Sequence, residues 1–191
     1  MPQLTIDYLT KYSKKNNFIE SGTYQGDTVK TAIEYGFKNI HSIEIFDTLY
    51  DNCVEMFKDD SQVKIWKGDS PDILREHIIP NLTEPSTFWL DAHRSFKLET
   101  PGSDKYGPCP LLHELAAIAE STIKDHVIFA DDVRLFDTDS WDFLKKSDFI
   151  DALLKINPNY VIDYLDGGFS FGRQFPEKDI LVAYIPWNIK K

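Results

Sequence analysis

Short apolar runs alternate with helical spacings along the first two thirds of the chain. Asn17-Phe18-Ile19-Glu20-Ser21 is short and closed by Gly22, and predicts a first strand. Residues 26–34 place Val29, Ala32 and Ile33 at helical spacing, and Gly36, tolerant of positive φ, predicts where that helix stops. Residues 39–45 predict a second strand, and Asp47 the cap of a helix reaching residue 58. A third strand covers 63–67 and runs into Gly68-Asp69-Ser70, with Pro71 suited to the first turn of a helix reaching residue 79. Residues 87–91, Thr-Phe-Trp-Leu-Asp, predict a fourth strand. A helix over 111–121 carries Leu111, Leu115 and Ile118 on one face, and a fifth strand over 126–130 ends in Asp131-Asp132.

The end of the chain breaks this alternation. Residues 142–156 predict a helix. Strands over 160–165 and 180–185 are separated by a glycine-rich turn and no helix, so they can pair antiparallel. Five β–α units followed by such a pair define a doubly wound α/β sheet. Residues 95–110 are polar, with three prolines and two glycines, and form a connection of about 16 residues. That is long for a compact domain and typical of lids and binding loops.

A chain of 191 residues with 42% hydrophobic residues can bury one core. Its net charge of −10 argues against nucleic acid as the main partner and against an anionic membrane surface. Cys53 and Cys109 are too few for a disulfide framework and fit free thiols in a reducing compartment. The N-terminus lacks a basic-then-apolar leader, and no apolar run approaches the ~18–20 residues of a membrane span. A soluble, cytoplasmic protein is expected, as a monomer or a homodimer.

Ligands of doubly wound sheets bind beyond the carboxyl ends of the strands. Here those ends carry Glu20, Glu44, Asp69, Asp91 and the pair Asp131-Asp132. The first turn, Glu20-Ser21-Gly22-Thr23-Tyr24-Gln25-Gly26, lets the backbone approach a ligand ahead of a helix N-terminus. Its Gly-x-x-x-Gly spacing departs from the dinucleotide pattern, which weighs against a nicotinamide cofactor. Glu44 lies 22 residues after Gly22, where a carboxylate can accept both hydroxyls of a ribose; a solvated strand end is the alternative. Asp69 is placed either to accept from an exocyclic amine or to start a helix ahead of Ser70-Pro71.

Neighbouring parallel strands lie ~4.8 Å apart, so Asp91, Asp131 and Asp132 can converge on one ion. Three such carboxylates repel one another unless a cation sits among them, and oxygen ligands suit Mg²⁺, Mn²⁺ or Ca²⁺. The alternative is that Asp131 or Asp132 caps a loop or pairs with Arg134. His93 is either a base titrating near neutrality or a loop histidine satisfied by hydrogen bonds. Arg94 stays protonated, so it orients a group or stabilises an oxyanion. His113 and Glu114 open the helix after the long connection and can reach an acceptor pocket, but read first as a solvated first helical turn. Phe96, Tyr106, Phe136 and Trp141 are aromatic residues on which a sugar ring can stack; ordinary core packing is the alternative.

The run from Phe18 to Gly26, then Glu44, then Gly68-Asp69, resembles the class I S-adenosylmethionine-dependent methyltransferases, over about Phe18 to Ile185. The resemblance implies one domain spanning 1–191, with a Rossmann-like, seven-stranded, mostly parallel sheet, an antiparallel last strand and helices on both faces. It implies that the glycine turn holds the methionine part, Glu44 the ribose and Asp69 the adenine. The cofactor positions implied are Glu20, Ser21, Gly22, Thr23, Gly26, Asp27, Thr28, Glu44, Ile45, Gly68, Asp69, Ser70 and Asp91. Residues 95–110 then read as a lid over the acceptor site. Residues 1–16, with Leu4, Tyr8 and Leu9, read as a helix that lids the cofactor pocket.

Asp91 with Asp131-Asp132 is similar to the metal-dependent O-methyltransferases of the catechol and macrolide-sugar types. More loosely, the Phe-Trp-Leu-Asp-Ala-His run and the later Cys109-Pro110-Leu111-Leu112-x-Glu114-Leu115 resemble sugar-modifying members. The implied activity is methyl transfer from S-adenosylmethionine to a hydroxyl of a small polar acceptor, a sugar or glycan unit. The implied metal is Mg²⁺ or Mn²⁺ on Asp91, Asp131 and Asp132, with Asp91, His93 and Arg94 catalytic. Two alternatives remain: a metal-dependent hydrolase built on Asp91, His93, Asp131 and Asp132, and a non-catalytic nucleoside-binding module.

Overall fold

The structure is a computed structural model that describes residues 3–13, 16–93, 103–170 and 172–186. Its centre is a seven-stranded sheet. In chain order the strands are β1 (Asn17–Ser21), β2 (Asn39–Glu44), β3 (Val63–Lys67), β4 (Thr87–Leu90), β5 (Val127–Ala130), β6 (Val161–Leu165), and, after a two-residue hairpin of β7 (Phe169–Ser170) and β8 (Arg173–Gln174), β9 (Ile180–Tyr184). The spatial order is β3-β2-β1-β4-β5-β9-β6. Pairs among β1 to β5 are parallel, and β9 lies antiparallel between β5 and β6. The doubly wound sheet with an antiparallel last strand is therefore present. The strand order reverses at β1, between β2 and β4, which opens the crevice such sheets use for ligands.

Strand alternation divides the core in two. Ile19, Ile43, Phe88, Leu90, Ile128 and Leu181 face one side, against α4 (Ser70–Ile73), α5 (Leu111–Ala119) and α6 (Lys146–Ile156). Phe18, Ile40, Trp89, Phe129 and Val182 face the other, against α1 (Ile6–Tyr12), α2 (Asp27–Tyr35) and α3 (Asp47–Met56). In α1, Leu9 and Tyr12 are buried; Tyr12 meets Phe129 and Tyr184 edge-on and bonds Asp163. The N-terminal helix is thus part of the core, tied to β5, β6 and β9.

Several boundaries differ from the sequence expectation, each for a local reason. Phe46, not Asp47, is the residue preceding α3; Asp47 lies in the first turn and pairs with Lys67. The helix after β3 is α-helical only over α4, widens to a π turn at Leu74–Ile78 and ends as a 3₁₀ turn at Ile79–Asn81. Pro80 has no N–H to extend an α ladder there. The helix expected from residue 142 starts at Lys146, because Asp142 and Phe143 adopt positive φ and interrupt it. Cys53 and Cys109 are free, as expected. Among the described residues no helix is long and apolar enough to cross a membrane.

Candidate active site

The turn after β1 is stitched to β2: the Gly22 and Thr23 N–H groups both donate to the Ile43 carbonyl, at 2.9 and 3.2 Å. β1 runs one residue past Glu20, so Glu20 points into the protein rather than off the strand end. It is buried, and Ser42 donates to its Oε2 at 2.5 Å, with Thr23 and Ser42 hydroxyls 2.6 Å apart. Burial pushes the Glu20 carboxyl well above the usual carboxylate range, and the Asp91 and Glu44 charges add to this.

Glu44 ends β2, mostly buried. Its Oε2 accepts the Tyr24 N–H at 2.9 Å and its Oε1 the Phe46 N–H at 2.8 Å. Burial raises its pKa although these N–H groups hold the charged form. The Ile45 N–H helps to hold the charged form too, and a carboxylate's roughly four lone-pair sites still leave room for an incoming hydroxyl. Ile45 and Phe46 beside it are more than one third exposed, an apolar pair next to an oriented carboxylate. Asp69 occupies the position before α4, yet its side chain makes no capping hydrogen bond.

The end of β4 is tied to β1. The Asp91 N–H reaches the Ser21 carbonyl at 3.1 Å and the Ser21 hydroxyl at 3.3 Å. Beyond it, His93 sits among three carboxylates. Its Nε2 lies 3.2 Å from Asp91 Oδ1, 2.9 Å from Asp132 Oδ2 and 4.0 Å from Asp131 Oδ1. Burial alone disfavours the imidazolium, but Asp132 and Asp91 outweigh it and raise the His93 pKa well above the ordinary histidine range. Asp131 moves up strongly, from burial and then from the Asp91 and Asp132 charges. Asp132 moves down: burial is overcome by His93 and Arg134.

Asp91, His93, Asp131 and Asp132 thus come together, with the two aspartates after β5 in different positions. Asp132 has positive φ and turns its Oδ1 to Arg134 at 2.6 Å, and Arg134 also grips the buried Asp179. Asp131 is buried with neither oxygen hydrogen-bonded among the described residues. Asp91, His93 and Asp131 each bring one ligand atom within 4.8 Å of the others. Two carboxylates and an imidazole converging on buried, unsatisfied oxygens fit a divalent cation.

Arg94 and residues 95–102 of the long connection, Phe96 among them, lie outside the described residues. The connection's described end is anchored on α4: Lys105 and the Tyr106 hydroxyl both reach Asp72, at 2.7 and 2.5 Å. Tyr106 packs against His113 with ring centroids 4.8 Å apart. Phe136 and Trp141 are buried core residues; Trp141 lies 5.4 Å from the His93 ring.

Glu114 corrects the sequence reading outright. It is fully buried, not solvated, and Ser70 donates to its Oε1. The signal was present: Glu114 stands three residues after Leu111 and four before Ile118, on the apolar face of α5.

No protein-family model matches the sequence, and no curated protein matches it. The fold has many solved relatives. The methyltransferase domain of bacterial CtHen1-C superposes with a TM-score of 0.57 at 12% identity, over 94% of both chains. The O-methyltransferase from Bacillus cereus in complex with SAH gives 0.57 at 13%, covering 89% of this chain and 74% of the other. Spermidine synthase from Thermotoga maritima gives 0.58 at 14%, over 90% of this chain and 54% of that one. The chain has the class I methyltransferase-like fold.

Proposed function

We propose that the protein is an S-adenosylmethionine-dependent O-methyltransferase, transferring a methyl group to a hydroxyl of a small polar acceptor, a sugar or glycan unit, with a divalent metal, Mg²⁺ or Mn²⁺. The observation that carries this reading is the juxtaposition of an oriented Glu44 at the end of β2 with Asp91, His93 and Asp131 at the ends of β4 and β5. A hydrolase built on the same aspartates leaves Glu44 and the glycine turn without a task. The O-methyltransferase from Bacillus cereus in complex with SAH supports the cofactor assignment by analogy of fold.

In this reading Glu44 accepts the ribose hydroxyls, Ile45 lies along the adenosine, and Asp69 accepts from the adenine amine. The backbone from Ser21 through Gly26 to Asp27 and Thr28 borders the methionine part, with Glu20 and Thr23 supporting the turn from beneath. Gly68 and Ser70 flank Asp69. Asp91, His93 and Asp131 hold the metal, with Asp132 bracing His93. A bound divalent cation lowers the pKa of an acceptor hydroxyl and fixes its position. The second carboxylate oxygen of Asp91 receives the proton released, His93 holds that carboxylate in place, and Arg94 steadies the oxyanion. The buried carboxylates favour a cationic methyl donor. The acidic chain disfavours a nucleic-acid acceptor. We place this single-domain enzyme in the cytoplasm, as a monomer or homodimer, with residues 95–110 bordering the acceptor.

Calorimetry with S-adenosylmethionine and S-adenosylhomocysteine tests the reading, on wild type and Glu44→Ala, with and without Mg²⁺. Micromolar binding that is lost in Glu44→Ala supports it, and sugar acceptors are then screened for methyl uptake. Absence of binding under every condition overturns it and leaves the hydrolase, whose activity needs no S-adenosylmethionine.

A further inference from the structure

Glu114 is a buried carboxyl to which the roles above give no task. It lies in the first turn of α5, and Ser70 donates to its Oε1. The Ser21 hydroxyl is near enough to favour its charged form. Ser21 ends β1 immediately before the glycine turn, and Ser70 follows Asp69, so the carboxyl lies where the turn, the start of α4 and the end of β4 meet. Its Oε2 is buried without a hydrogen-bond partner among the described residues. Burial pushes its pKa up to about 7, leaving it poised between neutral and charged forms at neutral pH.

A buried oxygen of this kind asks for a donor. The surroundings say which. Asp91 faces the same region and raises the cost of a second negative charge, which the Ser70 and Ser21 hydroxyls and the His93 charge ease. An anionic ligand group is repelled there and a cationic one is attracted. The amino-acid end of S-adenosylmethionine offers one ammonium and one carboxylate, and only the ammonium suits this floor.

We propose that Glu114 is a binding residue for the methyl donor: its Oε2 receives the ammonium of the donor's amino-acid end, while Ser70 fixes the carboxyl through Oε1. This inference rests on the methyltransferase reading and adds to it a residue and the ligand group that residue recognises.

The test is calorimetry on the full chain with S-adenosylhomocysteine and with its analogue lacking only the amino group. Glu114→Gln keeps the size of the side chain and an acceptor for Ser70 but removes the charge. The expected result is that Glu114→Gln weakens S-adenosylhomocysteine binding about 10-fold or more, the effect of losing a charge-assisted hydrogen bond. The deamino analogue binds wild type and variant within about twofold. Equal weakening of both ligands, or of neither, overturns the inference while leaving the methyltransferase reading intact. Failure of wild type to bind S-adenosylhomocysteine overturns both. Should Glu114→Gln melt before it can be titrated, Ser70→Ala, which frees the carboxyl from its anchor, is titrated with the same two ligands and must show the same selective loss.

Discussion

A Cβ placed on Gly22 would lie 2.6 Å from the carbonyl oxygen of Asp91, so the turn after β1 and the end of β4 touch backbone to backbone. Gly22 also has a φ of +86°, which a side chain disfavours. Gly22→Ala therefore meets a rigid backbone obstacle and a conformational penalty together. We expect a loss of at least ~2 kcal/mol in urea unfolding. The shift of β4 away from β1 should also abolish S-adenosylhomocysteine binding in calorimetry. A variant with wild-type stability and affinity would show that the contact relaxes freely.

Arg134 holds two acids at once. Asp132 receives its guanidinium at 2.6 Å, and the fully buried Asp179 receives both the guanidinium and the Arg134 N–H, the latter at 3.0 Å. Arg134→Met keeps much of the stem's packing but strands Asp179 and leaves Asp132 to His93. Breaking a buried pair by removing one partner typically costs ~3–5 kcal/mol. Because Arg134 remains partly exposed, a loss near ~3 kcal/mol is expected in chemical denaturation. Pairing Arg134→Met with Asp179→Asn should recover part of it, since the stranded charge is then gone.

The α/β alternation, the terminal antiparallel pair and the acids at the strand ends were legible because each rests on local pattern: apolar runs for strands, glycine at helix ends. What local pattern missed depends on tertiary partners. Asp131 and Asp132 are adjacent in sequence and look equivalent; only the positive φ of Asp132, which turns it to Arg134, separates them. Glu114 looked solvated because a charged residue in a first helical turn normally is. Its burial follows from Ser70 and Ser21 arriving from distant parts of the chain to meet it. The helix start at Lys146 was missed because nothing in Asp142-Phe143 announces left-handed backbone.

The ligand geometry separates two metal sets. The sequence suggests Asp91, Asp131 and Asp132; the structure gathers Asp91, His93 and Asp131, with Asp132 committed to Arg134. Mn²⁺ at about 100 times its Kd should stabilise wild type by about 2.7 kcal/mol, a rise in Tm of roughly 5–10 °C for a chain of this size. Asp131→Asn and His93→Ala should each remove that rise, while Asp132→Asn should keep most of it. Loss of the rise in Asp132→Asn with retention in His93→Ala would restore the three-aspartate set.

Glu114 also makes stability depend on pH. Its carboxyl is pushed up to about 7 in the folded protein by burial, against an ordinary value of 4.5 unfolded. Between those values the folded state binds the proton and the unfolded state does not, so this group's contribution falls as pH rises from about 4.5 to 7. The difference corresponds to about 3 kcal/mol at most. Glutamine carries no such penalty. Glu114→Gln should therefore raise Tm relative to wild type at pH 8, and the gain should shrink toward zero at pH 4.5. Melting both proteins across this range checks it. A difference independent of pH would mean that the carboxyl is ionised in the folded protein much as it is in the unfolded chain.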